Sequence, residues 1–125
     1  MFMKIFFVMP ALNEAKGIAK VIIELKKAGY SNILVIDDVI TAGTAIRQSM
    51  QLIESLGAKV TSVTIALDRQ ERGQGELSAI QELKQEGVNV IPIIQLADIM
   101  SYLESNGDSK QLEAVNQYRE RYGIA

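Results

Sequence analysis

Short runs that are apolar throughout alternate with longer segments whose apolar residues recur every three or four positions, and this alternation spans the chain. A continuous apolar run reads as a strand buried on both faces, and the three-to-four spacing reads as a helix with one face on a core. The segment KIFFVM (4–9) is therefore the first expected strand. Asn13 is positioned to cap a helix whose apolar positions are Ile18, Val21, Ile22 and Leu25, with Gly29 ending it in a left-handed conformation. NILVID (32–37) is the second strand. The second helix carries Ile46, Met50, Ile53 and Leu56 and stops at Gly57. KVTSVTIALD (59–68), rich in β-branched residues, is the third strand. The polar, glycine-containing RQERGQGEL (69–77) reads as an exposed loop, after which Ser78 caps a short helix ending at Gly87. VNVIPII (88–94) is the fourth strand, placed at an edge because Pro92 has no N–H for a ladder. Two helices, 96–105 and 109–122, close the chain around the turn SNGD.

Strands separated by helices imply parallel pairing with right-handed crossovers. The expected fold is α/β, a three-layer Rossmann-like open parallel sheet of about four strands in the order 4-3-2-1, with C-terminal helices, forming one domain over 1–125. That order places the crossover helices on a single face. The terminal helices or a second subunit are expected to cover the other.

Composition narrows the chemistry. With 125 residues and 48% hydrophobic content, the chain is long enough to bury a core without crosslinks. A net charge of −2, from 13 basic and 15 acidic residues, gives no electrostatic footprint for nucleic acid. Cysteine and histidine are absent, which excludes disulfides, thiolate catalysis, Cys/His zinc sites and histidine-based triads. The opening MFMKIFFVMPALNEA has a lysine before an apolar run but breaks at Pro10 without a small-x-small cleavage site, so it is not read as a signal peptide. No segment approaches the roughly 20 apolar residues of a membrane span. A cytoplasmic protein without nucleic-acid or membrane partners is expected.

The chemistry concentrates in DDVITAGT (37–44). Asp37 and Asp38 fall at the carboxyl end of the second strand, the edge where open α/β sheets bind ligands. Gly43 permits close backbone approach. The amides of Thr41, Ala42, Gly43 and Thr44, with two threonine hydroxyls and the positive end of a helix, form a phosphate cradle. Carboxylates repel phosphate, so the acid pair must face sugar hydroxyls or a Mg²⁺ ion that keeps most of its water, without a direct protein cage for the metal. A phosphate or sugar phosphate is the expected ligand.

From ILVIDDVITAGTAI (33–46) onward, including ALDRQERGQGELSAIQE (66–82), the chain resembles the C-terminal part of bacterial orotate phosphoribosyltransferase. That resemblance implies ribose contacts from Asp37 and Asp38, 5′-phosphate contacts from Thr41, Ala42, Gly43 and Thr44, and base contacts from Thr41 and Arg69. It also implies phosphoribosyl pyrophosphate with Mg²⁺. The first third lacks that family's pyrophosphate loop and mobile lysine loop. Instead, residues 1–38 resemble the opening strand-helix-strand of family 2 glycosyltransferases of the dolichyl-phosphate mannose synthase type, with Pro10, Asn13 and Glu14 as nucleotide-binding candidates. Together the two resemblances imply a chimera, 1–32 glycosyltransferase-like and 33–125 phosphoribosyltransferase-like, natural or engineered. The expected function is a vestigial phosphoribosyl pyrophosphate or ribose 5-phosphate site with little or no transferase activity, its catalytic residues unassigned. The alternatives are an active enzyme completed by Lys16 and Lys20 or by a homodimer partner, and a ligand-free scaffold.

Overall fold

The computed structural model describes residues 5–8 and 15–124. Four strands, β1 (Ile5–Val8), β2 (Asn32–Val39), β3 (Lys59–Asp68) and β4 (Val90–Gln95), pair in parallel in sequential order, β1-β2-β3-β4. Helices α1 (Ala15–Lys27), α2 (Thr44–Ser55) and α3 (Ala79–Gln85) connect them, and α4 (Leu96–Ser105) and α5 (Ser109–Tyr122) follow. The α/β class and the parallel sheet are as the alternation predicts. Pro92 lies on the edge strand β4, opposite Ile65.

One core explains the placement of the helices. Ile18 and Ile22 of α1, Ile46 and Ile53 of α2, and Ile80 and Leu83 of α3 are buried with Ile33, Val35, Val63, Ile65 and Val90 of the sheet. Because strand residues alternate between faces, the helices all cover the face that carries Ile33 and Val35. Gly29, Gly57 and Gly87 end the three crossover helices with φ of 88°, 78° and 86°, the left-handed conformation expected of them. Ser78 caps α3 in a reciprocal capping box with Gln81, its hydroxyl accepting from the Gln81 amide at 3.1 Å and the Gln81 side chain accepting from the Ser78 amide at 2.8 Å.

Three expectations require correction. Val21, placed by its spacing on the core face of α1, is 49% exposed: the buried stripe follows Ile18, Ile22 and Leu25, and Val21 falls on its shoulder. The loop from 69 onward is not free. Glu71 bridges antiparallel to Gly123, and the Gly73 amide donates to the Leu77 carbonyl at 2.7 Å. Finally, among the described residues the C-terminal helices leave the outer face of the edge strand uncovered. Helix α4 packs on α5 and on the end of β4, while Ile91 and Ile93, on the opposite face of the edge strand from buried Val90, remain exposed. The expected Asn13 cap lies outside the described residues. Among the described residues no helix is long and apolar enough to cross a membrane.

Full burial separates the helix positions energetically. Ile22→Ala should cost about 2–5 kcal/mol, the range for deleting buried methylenes, whereas Val21→Ala one position away should stay within about 0.5 kcal/mol. Urea denaturation of the two variants measures this contrast.

Candidate functional site

Parallel pairing brings the carboxyl ends of all four strands to one edge, and two of the following loops build the site there. Strand β2 runs on through the acid pair to Val39, with Asp37 opposite Ile65 of β3 and Val39 opposite Leu67. Asp37 shares the face of Ile33 and Val35 and is half-buried, while Asp38 is exposed. The Asp38 amide donates to Asp37 Oδ1 at 2.9 Å, and the Val39 amide donates to Asp38 Oδ1 at 2.7 Å. These surroundings push the two acids apart. Burial, reinforced by the neighbouring Asp38 carboxylate, raises the Asp37 pKa above the ordinary 3.8 despite the backbone bond it receives. The Val39 amide, with the bond to Asp37, lowers that of Asp38. The pair therefore contains one carboxylate that stays ionised and one that protonates more readily.

Beyond Val39 the chain bends through residues 41–43 and enters α2 at Thr44. Gly43 is the cap, with φ 72° and ψ 2°, and no side chain caps the helix. The first intrahelical bond is donated by Arg47 to the Gly43 carbonyl at 3.0 Å. The amides of Thr44, Ala45 and Ile46 precede it and have no place in the helical ladder. A bend followed by free amides at a helix's positive end can hold an anion. The segment is neither extended nor continuous helix through the glycine. Thr41, Ala42 and Thr44 are exposed around the buried Gly43.

The β3–α3 loop delivers Arg69 to the same place. Its Nη2 donates to Thr41 Oγ1 at 3.2 Å, joining residues 28 apart in sequence, the two assigned to the base by resemblance. On its other side Arg69 Nε lies 3.1 Å from Glu71 Oε1. Both atoms are buried, and their contact is an ion pair without hydrogen-bond alignment. Lys16 and Lys20 are exposed on α1. Pro10, Asn13 and Glu14 lie outside the described residues. Among the described residues no three carboxylates converge as a metal cage. The Asp37–Asp38 pair nevertheless fits Mg²⁺, which commonly takes one or two carboxylates and completes its shell with water and substrate phosphate.

Sequence reasoning missed Arg47. Its Nη1 donates to the Ala42 carbonyl at 3.2 Å, and its Nη2 pairs with Glu86 at 2.8 Å and Glu82 at 3.3 Å on α3. One guanidinium thus fastens the backbone of the bend to a neighbouring helix. A Cβ on Gly43 would lie 2.7 Å from Arg47 Nη1. The available signal was the pair of glutamates at positions 82 and 86, one turn apart on a short helix and in need of a cation. A separate cleft beside α5, lined by Arg72, Glu76, Asn116 and Arg119 among others, includes none of the predicted site residues.

No protein-family model matches the chain. It is 56% identical over 93 residues to the orotate phosphoribosyltransferase of Saccharophagus degradans, and 57% identical over 94 residues to those of Alteromonas mediterranea and Shewanella oneidensis. Each match covers 74% of this chain and 44% of the relative. The chain therefore spans less than half the length of these curated relatives, which match its C-terminal part. The crystal structure of orotate phosphoribosyltransferase from Francisella tularensis superposes with a TM-score of 0.71 at 26% identity, covering 95% of this chain and 70% of that one. The enzyme from Aeropyrum pernix gives 0.50 at 28% identity over 60% of this chain and 39% of its own. A superposition spanning 95% of the chain must reach into its opening strand and helix. Those elements have a place in the phosphoribosyltransferase fold itself. The glycosyltransferase likeness of residues 1–38, and the chimeric join drawn from it, gain no support from these relatives.

The Arg47 clamp carries a pH signature. Arg47 lowers the Glu86 pKa below the ordinary 4.5 through a direct hydrogen bond. A depressed folded-state pKa contributes stability that is present above the unfolded value and lost as pH falls through the folded one. Arg47→Ala should lower the urea midpoint modestly at pH 7. That difference should shrink as the pH is taken below about 4.5, the unfolded value, which paired urea titrations at neutral and acidic pH would measure.

Proposed function

We propose that this domain binds the ribose 5-phosphate part of phosphoribosyl pyrophosphate at the β2–α2 loop and an orotate-like base beside Arg69. The observation that carries this reading is the uncapped start of α2 at left-handed Gly43, directly after a strand ending in Asp37 and Asp38 and in contact with Arg69 through Thr41. In this reading the amides of residues 41–44 and the hydroxyls of Thr41 and Thr44 hold the 5′-phosphate. Asp37 and Asp38 accept from the ribose hydroxyls. The Arg69 guanidinium, a planar fork of donors, faces the carboxylate and carbonyl edge of the base. The identity to orotate phosphoribosyltransferases over the segment containing these residues supports the choice of ligand. Mg²⁺ bound with the ligand would screen its phosphate charge and be held by Asp37 or Asp38 together with water.

The reading assigns this chain little or no transferase activity of its own. Phosphoribosyl transfer requires a neutralised pyrophosphate leaving group and a site closed to water. The two arginines that touch the cradle segment, Arg47 and Arg69, are each already engaged by carboxylates. An active enzyme completed by other cations is the second reading, favoured by exposed Lys16 at the start of α1, which follows the carboxyl end of β1.

Calorimetric titration tests the proposal. Phosphoribosyl pyrophosphate with Mg²⁺ should give saturable heat, and Asp37→Asn/Asp38→Asn should weaken it about tenfold or more, equivalent to roughly 1.4 kcal/mol. Absence of heat in the parent would leave only a scaffold. Affinity should also decline on acidification. Asp37, whose folded pKa lies above 3.8, loses its acceptor charge as pH falls through that value, and the Asp37→Asn single variant should lack this step when both proteins are titrated with the same ligand.

A further inference from the structure

We propose that the segment Tyr122–Ile124, together with Glu71, is a positioning device for Arg69, fixing its guanidinium over Thr41 and thereby setting selectivity for a planar, carboxylate-bearing base. This rests on the reading of Arg69 as the base contact and adds to it what holds that contact in place.

The loop after β3 is held far more tightly than a surface loop requires. Gln70 has φ 53°, the one positive φ among described residues other than glycine, a conformation that side-chain-bearing residues rarely adopt. Such backbone persists only where its surroundings over-determine it, and here they do. The Gln70 amide donates to Asp68 Oδ1 at 2.8 Å, and Asp68 Oδ2 accepts from Gln95 Nε2 at 3.4 Å. Gln70 Oε1 accepts from the Ala97 amide in the first turn of α4 at 3.2 Å. The end of α5 then grips the loop from its far side. The Ile124 amide donates to the Gln70 carbonyl at 2.9 Å, and the Arg72 amide donates to the Tyr122 carbonyl at 2.8 Å, flanking the Glu71–Gly123 bridge. Arg72 Nη2 adds a bond to the Arg121 carbonyl at 2.8 Å.

Glu71 is the residue this grip holds fixed, and its buried Oε1 meets the buried Nε of Arg69. Arg69 is thereby constrained at both ends of its guanidinium, Nε by Glu71 and Nη2 by Thr41. A long, rotamer-rich side chain would otherwise lose that freedom only on binding. Its remaining donors make no hydrogen bond among the described residues and are available to a ligand edge. The cradle's backbone is fastened by Arg47 to α3 and makes no bond to residues 122–124. The two halves meet only at Thr41, whose hydroxyl accepts from Arg69, so loss of the clip frees Arg69 without removing a group that holds the phosphate.

Two ligands distinguish the roles: ribose 5-phosphate, which reports the cradle, and orotidine 5′-monophosphate, which adds the base. Ile124→Pro removes the amide donated to Gln70, and Gly123 already has the extended conformation, φ −69° and ψ 158°, that a residue before proline requires. Ile124→Ala keeps the amide and controls for the lost side chain. Ile124→Pro and Glu71→Ala should each weaken orotidine 5′-monophosphate by about tenfold while leaving ribose 5-phosphate unchanged. Ile124→Ala should match the parent on both ligands, and Glu71→Gln, which retains a side-chain oxygen, should lose less than Glu71→Ala. Unchanged nucleotide affinity in both Ile124→Pro and Glu71→Ala, or equal loss of both ligands, would overturn the positioning role. A parent that binds ribose 5-phosphate but gains nothing from the base would overturn it through Arg69, and a parent that binds neither ligand would overturn the site reading itself.

Discussion

The site depends on one backbone conformation, the left-handed turn at Gly43. Strand β2 delivers its acid pair to the carboxyl edge of the sheet, and the chain must then reverse onto the helical face to form α2. Gly43 makes that turn at φ 72° immediately before the first helical residue. The helix therefore starts abruptly, without a side chain to satisfy its leading amides. A serine or aspartate cap, the common solution elsewhere, would occupy those amides, and reciprocal capping does so at Ser78 on the next crossover helix. Successive crossover helices of one chain thus start in opposite ways, α2 uncapped and α3 capped.

Strand order governs what can be assembled around that turn. The sheet is strictly sequential, so it has no point at which neighbouring crossovers diverge to opposite faces and open a crevice. The site is built instead by convergence of two successive loops. Register does the work: Asp37 and Val39 lie opposite Ile65 and Leu67, so β3 ends one residue beyond its last position paired with β2, and its next residue is Arg69. A shift of one residue would exchange the faces of the strand, carrying Ile65 out of the core and Arg69 away from Thr41.

Local patterns were legible because local physics determines them. The bounds of α4 and α5, the cap at Ser78, the edge position of Pro92 and the glycine stops all follow from propensities and backbone chemistry that act within a few residues. The bend between the acid pair and α2 was legible for the same reason. What escaped were relations between distant segments. Val21 and Ile22 are adjacent and similarly apolar, and only the position of the sheet decides which one is buried. Arg47 looks like any arginine on a helix until α3 brings Glu82 and Glu86 against it. The polar loop after β3 reads as solvated until residues 122–124 pair with it, a contact across some fifty residues that no window along the chain contains. The likeness of the opening segment to another family is of a different kind and gains no support from the relatives, since a strand-helix-strand unit is common to many open sheets and identifies none of them.

The exposure of Ile91 and Ile93 on the outer face of the edge strand follows from the same topology. Right-handed crossovers between sequential parallel neighbours must all pass over one side, and the shared core of α1, α2 and α3 shows that they do. Nothing in that arrangement can send a helix to the opposite side, and α4 and α5 begin only after the edge strand is complete. They turn instead to each other and to the β3–α3 loop, where they fasten the segment that carries Arg69. The C-terminal helices are thus committed to the site at the cost of the sheet. Ile91 and Ile93 on the outer face of the edge strand are accordingly left exposed.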